Sequence, residues 1–159
     1  MFNANEIFNI GIQIEKNGES FYHSAAQKTD NIDIKNLFNE LAGWEKQHIE
    51  IFETLKASFP DEEKEKDIYD PENLTHLYLK AVADNEVFVK GNELSLDDSN
   101  SVTEILKQAI EFEKDSVVLY TSMKSLVGDD FGKKHIDKLI NEEINHIGQL
   151  TKKIQGLHI

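Results

Sequence analysis

Glutamate and histidine fall three residues apart twice in this chain, at Glu45-Lys46-Gln47-His48 and at Glu143-Ile144-Asn145-His146. On a helix that spacing projects both side chains from one side. A carboxylate and an imidazole so placed can hold a divalent cation, or can be two polar residues that happen to share a face. One match decides nothing, because 18 glutamates and six histidines in 159 residues give roughly 0.7 such pairs by chance.

The register between the two halves is more informative. At an offset of 98 residues, IEKNGESFY (14–22) falls on FEKDSVVLY (112–120) and LAGWEKQHI (41–49) falls on LINEEINHI (139–147). Glu15 matches Glu113, Tyr22 matches Tyr120, Glu45 matches Glu143 and His48 matches His146. Leu41 and Ile49 match Leu139 and Ile147, as a shared core face requires. Glu15 and Tyr22 lie seven residues apart, close to two helical turns, and so share a face. Two helix pairs related by a two-fold axis would bring four carboxylates and two imidazoles to one point. Four ionised glutamates buried together repel one another and lose their hydration. Two divalent cations cancel that charge, so the pattern points to a dinuclear metal centre.

Positioning these groups requires long helices, and helical periodicity dominates the chain. The first helix should start near Asn3, with Glu6 as capping partner, carry Ile7, Ile10, Ile14, Phe21 and Ala25 inward, and end around Lys28. The second should run from about Asp33 to Ser58, stopped by Pro60 and by DEEKEKD (61–67), which reads as a solvated loop. Pro71-Glu72 reads as the opening of a short helix through about Ala83. Ser101-Val102-Thr103-Glu104 is a capping box for a third long helix to about Leu126. VGDDFG (127–132) reads as a turn, and a fourth long helix covers about Asp130 to Gln155. The link between the second and third long helices, about 59–100, is long enough to travel a helix of ~26 residues, or ~39 Å. The expected fold class is therefore all-α: a four-helix bundle of the ferritin-like connectivity, one domain over 1–159, with helix pairs 3–58 and 101–155 joined by one long crossover.

Composition narrows the function classes. No apolar run approaches a membrane span, and the N-terminus lacks a signal peptide's basic start and apolar block, so a cytoplasmic protein without membrane contact is expected. With no cysteine, thiolate ligands and thiol catalysis are excluded. A net charge of −13 with lysine as the sole basic type disfavours nucleic acid as a partner.

In its paired Glu-x-x-His motifs and upstream glutamates the chain resembles a rubrerythrin-type member of the ferritin-like superfamily, over all four long helices. The resemblance implies two iron ions, with manganese or zinc as alternatives. Glu45 and Glu143 would bridge them, Glu15 and Glu113 would be terminal ligands, and His48 and His146 would each bind one metal. Tyr22 and Tyr120 would hydrogen-bond to the carboxylates. The implied activity is reduction of hydrogen peroxide, with dioxygen as the competing substrate. Two departures stand out. The four cysteines of a rubredoxin module are absent, which calls for a separate electron-donor protein, and Ser116 stands where such proteins carry a further acidic ligand. A homodimer is the expected assembly. Iron oxidation and storage is the alternative function, and a redox-silent bundle holding zinc or nothing is a third. Among the remaining polar residues, Glu111 and Asp115 are expected to face solvent or a helix neighbour. Glu142 is expected in solvent, with orientation of an imidazole as its alternative. His23, His76, His135 and His158 are expected at the surface, and Trp44 with the phenylalanines in the core.

Overall fold

The computed structural model describes residues 3–65, 67–84, 101–125 and 130–157. Within them α1 spans Ala4–Gln27, α2 Ile32–Ser58, α3 Asp61–Lys64, α4 Leu74–Ala83, α5 Val102–Lys124 and α6 Asp130–Leu157. The long helices begin where side chains can satisfy their first amides. Asn3 Oδ1 accepts from Glu6 N at 3.0 Å while Asn3 N donates to Glu6 Oε2 at 3.1 Å, a reciprocal capping box. Asn31 Oδ1 caps α2 through Asp33 N and Ile34 N. Ser101 Oγ accepts from Glu104 N at 3.2 Å, the serine half of the expected box.

Two stretches between the pairs differ from the sequence reading. Asp61–Lys64 forms one helical turn after Pro60 instead of a loop, since proline at the start costs no amide and three acids favour a helix N-terminus. The short helix opens at Leu74 and not at Pro71, because the Asp70 carboxylate takes the amides of Thr75 and His76 and Pro71-Glu72 is spent in the turn before it. Asn73, which joins turn to helix, has φ 58°, a left-handed conformation asparagine tolerates. Residues 85–100 and the first half of the expected 127–132 turn, 127–129, lie outside the described residues, and its second half, 130–132, is the start of α6.

α1 packs mainly on α2, and α5 mainly on α6. Two apolar clusters fill the bundle and give its directions. One joins the N-terminal half of α1 (Ile7, Phe8, Ile14), the C-terminal end of α2 (Phe52, Leu55), α4 (Leu79, Val82), the C-terminal end of α5 (Leu119, Met123) and the start of α6 (Ile136, Leu139). The other joins Phe21 and Ala25 of α1 to Phe38 and Leu41 of α2, Ile105 and Ala109 of α5, and Leu150 of α6. Hence α2 and α5 run parallel, and α5 begins at the end of the bundle opposite to the one where α2 finishes. This is the ferritin-like crossover expected from the length of the link.

Helix α1 approaches α5 closely at Gly18, where an added Cβ would stand 2.4 Å from Phe112 Cε1. Gly18→Ala should therefore destabilise by about 1–2 kcal/mol, overpacking outweighing the helix-propensity gain. Gly43, with nothing within 4 Å of its added Cβ, should gain stability as alanine. Urea titrations of both variants test this; equal stabilisation would show that Phe112 yields freely.

Candidate metal centre

Between the apolar clusters lies a polar layer. α1 contributes Glu15, α2 Glu45 and His48, α5 Glu113, and α6 Glu143 and His146, each at most 2% exposed. The six fall into two sets in which one ligand atom per residue lies within 4.8 Å of the others: Glu15, Glu45, His48, Glu143 and Glu45, Glu113, Glu143, His146. Glu45 and Glu143 belong to both. His48 Nδ1 stands 2.7 Å from Glu143 Oε1, 3.5 Å from Glu15 Oε2 and 3.9 Å from Glu45 Oε2. His146 Nδ1 stands 3.6 Å from Glu113 Oε1 and 3.7 Å from Glu143 Oε2. Ligand atoms about one cation are separated by about 3 Å, given metal–ligand bonds of about 2.0–2.2 Å.

The tyrosines cross between helix pairs. Tyr22 Oη of α1 donates to Glu113 Oε1 of α5 at 2.6 Å, and Tyr120 Oη of α5 donates to Glu15 Oε1 of α1 at 2.7 Å. Each thereby leaves the other oxygen of that carboxylate free. Those oxygens, Glu15 Oε2 and Glu113 Oε2, have no hydrogen-bond partner, and neither do both oxygens of Glu45 and Glu143 or Nδ1 of His146. Glu143 Oε1 has the His48 imidazole beside it as an ion-pair contact. Buried acceptors without donors are costly and need an ion, a proton or a ligand to satisfy them. The donor set, hard oxygens with two imidazoles, fits iron, manganese and zinc.

Without metal the same crowding is met by protons. Burial and the charges of Glu15 and Glu143 push Glu45 well above the usual carboxylate range. Burial would raise Glu15 too, but its contacts with Glu45, His48 and Tyr120 outweigh burial and hold it low. Burial opposes the charge on His48, yet Glu142, Glu143 and Glu15 carry it up to about 12. Burial and the surrounding carboxylates push Tyr22 and Tyr120 well up, so both remain hydroxyl donors.

One residue read as solvated is a partner of the centre. Glu142 Oε2 lies 2.9 Å from His48 Nε2, so it pins the imidazole with Nδ1 inward, and the His48 contact holds its own carboxyl low. The repeat sets Trp44 opposite Glu142 (142 − 98 = 44). Trp44 is half-buried, not core, with its ring centroid 5.7 Å from that of His146. The two halves are thus alike in their inner ligand types and unlike behind the imidazoles. Glu111 pairs with Lys114 at the surface, and Asp115 accepts from Tyr78 Oη of α4. His23 is exposed beside Glu19, while His76 is partly buried with its ring against Asn73. His135, also partly buried, lines a groove between α2 and α6, and His158 lies outside the described residues.

A sequence profile of rubrerythrin matches residues 6–91, more than half of the chain. The chain belongs to the rubrerythrin family. A solved structure from Thermotoga maritima, provisionally described as a ferritin-like diiron-carboxylate protein, is similar at 25% identity and a TM-score of 0.74. That alignment covers 97% of this chain and 95% of the other. No curated protein matches the sequence. The rubrerythrin profile reaches Glu15, Glu45 and His48 directly, whereas Glu113, Glu143 and His146 join them through the internal repeat and the fold. No helix among the described residues is long and apolar enough to cross a membrane.

Proposed function

We propose that this rubrerythrin-family chain holds two iron ions and reduces hydrogen peroxide to water with electrons from a separate protein. The observation that carries the reading is the pair of buried Glu/His sets sharing Glu45 and Glu143, with carboxylate oxygens that find no hydrogen-bond donor among the described residues. Glu15 and His48 would serve one metal, Glu113 and His146 the other, and Glu45 and Glu143 would bridge both. When bound, the iron pair supplies two electrons by passing from ferrous to ferric, and H2O2 with two electrons and two protons gives two H2O. The protein excludes bulk water from the layer, and Tyr22 and Tyr120 fix the terminal carboxylates. None of its residues is cysteine, so the electrons return through a group outside these residues.

Stopped-flow mixing of anaerobically Fe(II)-loaded protein tests this. Peroxide should oxidise the centre much faster than dioxygen, at one peroxide per two Fe(II), without a mineral. Faster oxidation by dioxygen with growth of a mineral would favour iron storage. Metal analysis of anaerobically purified protein would settle iron against manganese or zinc.

A further inference from the structure

Ser116 lies three residues after Glu113 and four before Tyr120, so all three share the face of α5 turned to the centre. Its side chain is fully buried, and Oγ has no hydrogen-bond partner among the described residues. Serine and threonine hydroxyls in helices commonly return to the carbonyl four residues back. Thr121 and Ser122 on the same helix do so, to Val117 O and Val118 O at 2.8 and 2.9 Å, as does Thr151 on α6 to Ile147 O at 2.8 Å. Ser116 does not. Alanine would fill the same space without an unsatisfied hydroxyl, so packing gives no reason for the oxygen.

The other hydroxyl donors around the centre are committed, and the inward imidazole nitrogens are those that would hold metal. Tyr22 and Tyr120 donate to Glu113 and Glu15, and His48 Nε2 meets Glu142. The ionised carboxylates only accept. A small ligand entering this layer thus finds one uncommitted hydroxyl donor among the described residues, and it finds it on one side alone. Gly18 holds the equivalent place on α1 (116 − 98 = 18). There the Phe112 ring and Glu45 Cδ stand 2.4 and 3.4 Å from the position of an added Cβ.

We propose that Ser116 donates a hydrogen bond to the small oxygen-bearing ligand of the centre, hydrogen peroxide in the proposed reaction, and seats it on the α5 flank. This rests on the di-iron reading, and the test separates the two. Azide is the probe, titrated into the diferric protein and followed by its charge-transfer absorption. Ser116→Ala should keep two irons per chain and bind azide about tenfold more weakly, the size of one hydrogen bond to an anion. Ser116→Thr, which keeps the hydroxyl, should recover most of the affinity. Equal azide affinity in wild type and Ser116→Ala would overturn the proposal and leave the di-iron reading standing. Loss of iron from Ser116→Ala would also overturn it, making the serine a support of the metal instead. Failure of the wild type to take up two metals would remove the di-iron reading and the proposal together.

Discussion

Stripping the metals should lower the melting temperature sharply at pH 7 and distinctly less at pH 5. A ligand that binds only the folded state, held at a thousand times its dissociation constant, adds about 4 kcal/mol per site. Two such ions are worth roughly 15–30 °C for a chain of this size, at about 2–4 °C per kcal/mol. The pH dependence follows from the apo protein. Glu45 and His48 both have raised folded pKa values. The stability each contributes is complete below its unfolded value, 4.5 for Glu45 and 6.5 for His48, and is lost as pH rises through the folded value, about 12 for His48. Glu15 and Glu142 are lowered, so their contributions are present above 4.5 and lost as pH falls through their folded values. The apo centre is therefore best served near 4.5, and by pH 7 the unfolded chain has released protons that the folded centre still holds in place of cations, so part of what Glu45 and His48 contribute is gone. Metals compete with those protons for the same atoms and bind more weakly at pH 5. Both effects narrow the gap between holo and apo protein at the lower pH. Calorimetric melts of metal-loaded and chelator-treated protein at the two pH values measure it. An unchanged melting temperature on chelation at pH 7 would place the metals outside this layer.

How much of this was legible in the sequence depends on what each residue's position depends on. Glu45 with His48 and Glu143 with His146 were readable because helical geometry turns a spacing of three into a shared face. Their register with Glu15 and Glu113 made the two-fold visible without coordinates. The capping box of Asn3 and Glu6 is local chemistry and formed as read. The crossover was readable from length alone. Glu142 was not. It sits one residue, about 100° of helix, from Glu143, and whether it meets solvent or His48 depends on how α6 lies against α2. The half-buried place of Trp44 and the crossed tyrosine bonds depend on the same packing. Around the short helix, Asp70 captured two amides across a proline turn, a side-chain preference that no hydrophobic period records. Ser116 stands out in the sequence as a missing acid; that its hydroxyl is buried and unpartnered among the described residues follows only from the bundle.

The largest functional losses should come from the shared carboxylates. Glu45→Ala or Glu143→Ala removes a group common to both Glu/His sets and should cost most of both metals. His48→Ala and His146→Ala should each cost one metal, as the offset of the repeat implies. Behind the imidazoles the two-fold is broken, with Glu142 against His48 and Trp44 against His146. Glu142→Gln should therefore retain two metals at saturation while weakening the His48 position by about 10–100-fold, the usual scale for losing a carboxylate behind a metal-bound histidine. Trp44→Phe, which removes no such carboxylate, should leave metal affinity within a few-fold of wild type. His23→Ala should change nothing, since that side chain is 58% exposed. Metal-to-protein ratios for these variants, purified side by side, with Co(II) titrations of Glu142→Gln and Trp44→Phe, provide the test. If His23→Ala lost as much metal as His48→Ala, or His146→Ala kept two metals at full affinity, the ligand assignment would fail. If Glu142→Gln titrated like wild type, the ligands would stand and the histidines would be equivalent after all. The two positions would then fill together, whereas a supported His48 beside an unsupported His146 makes them fill in order.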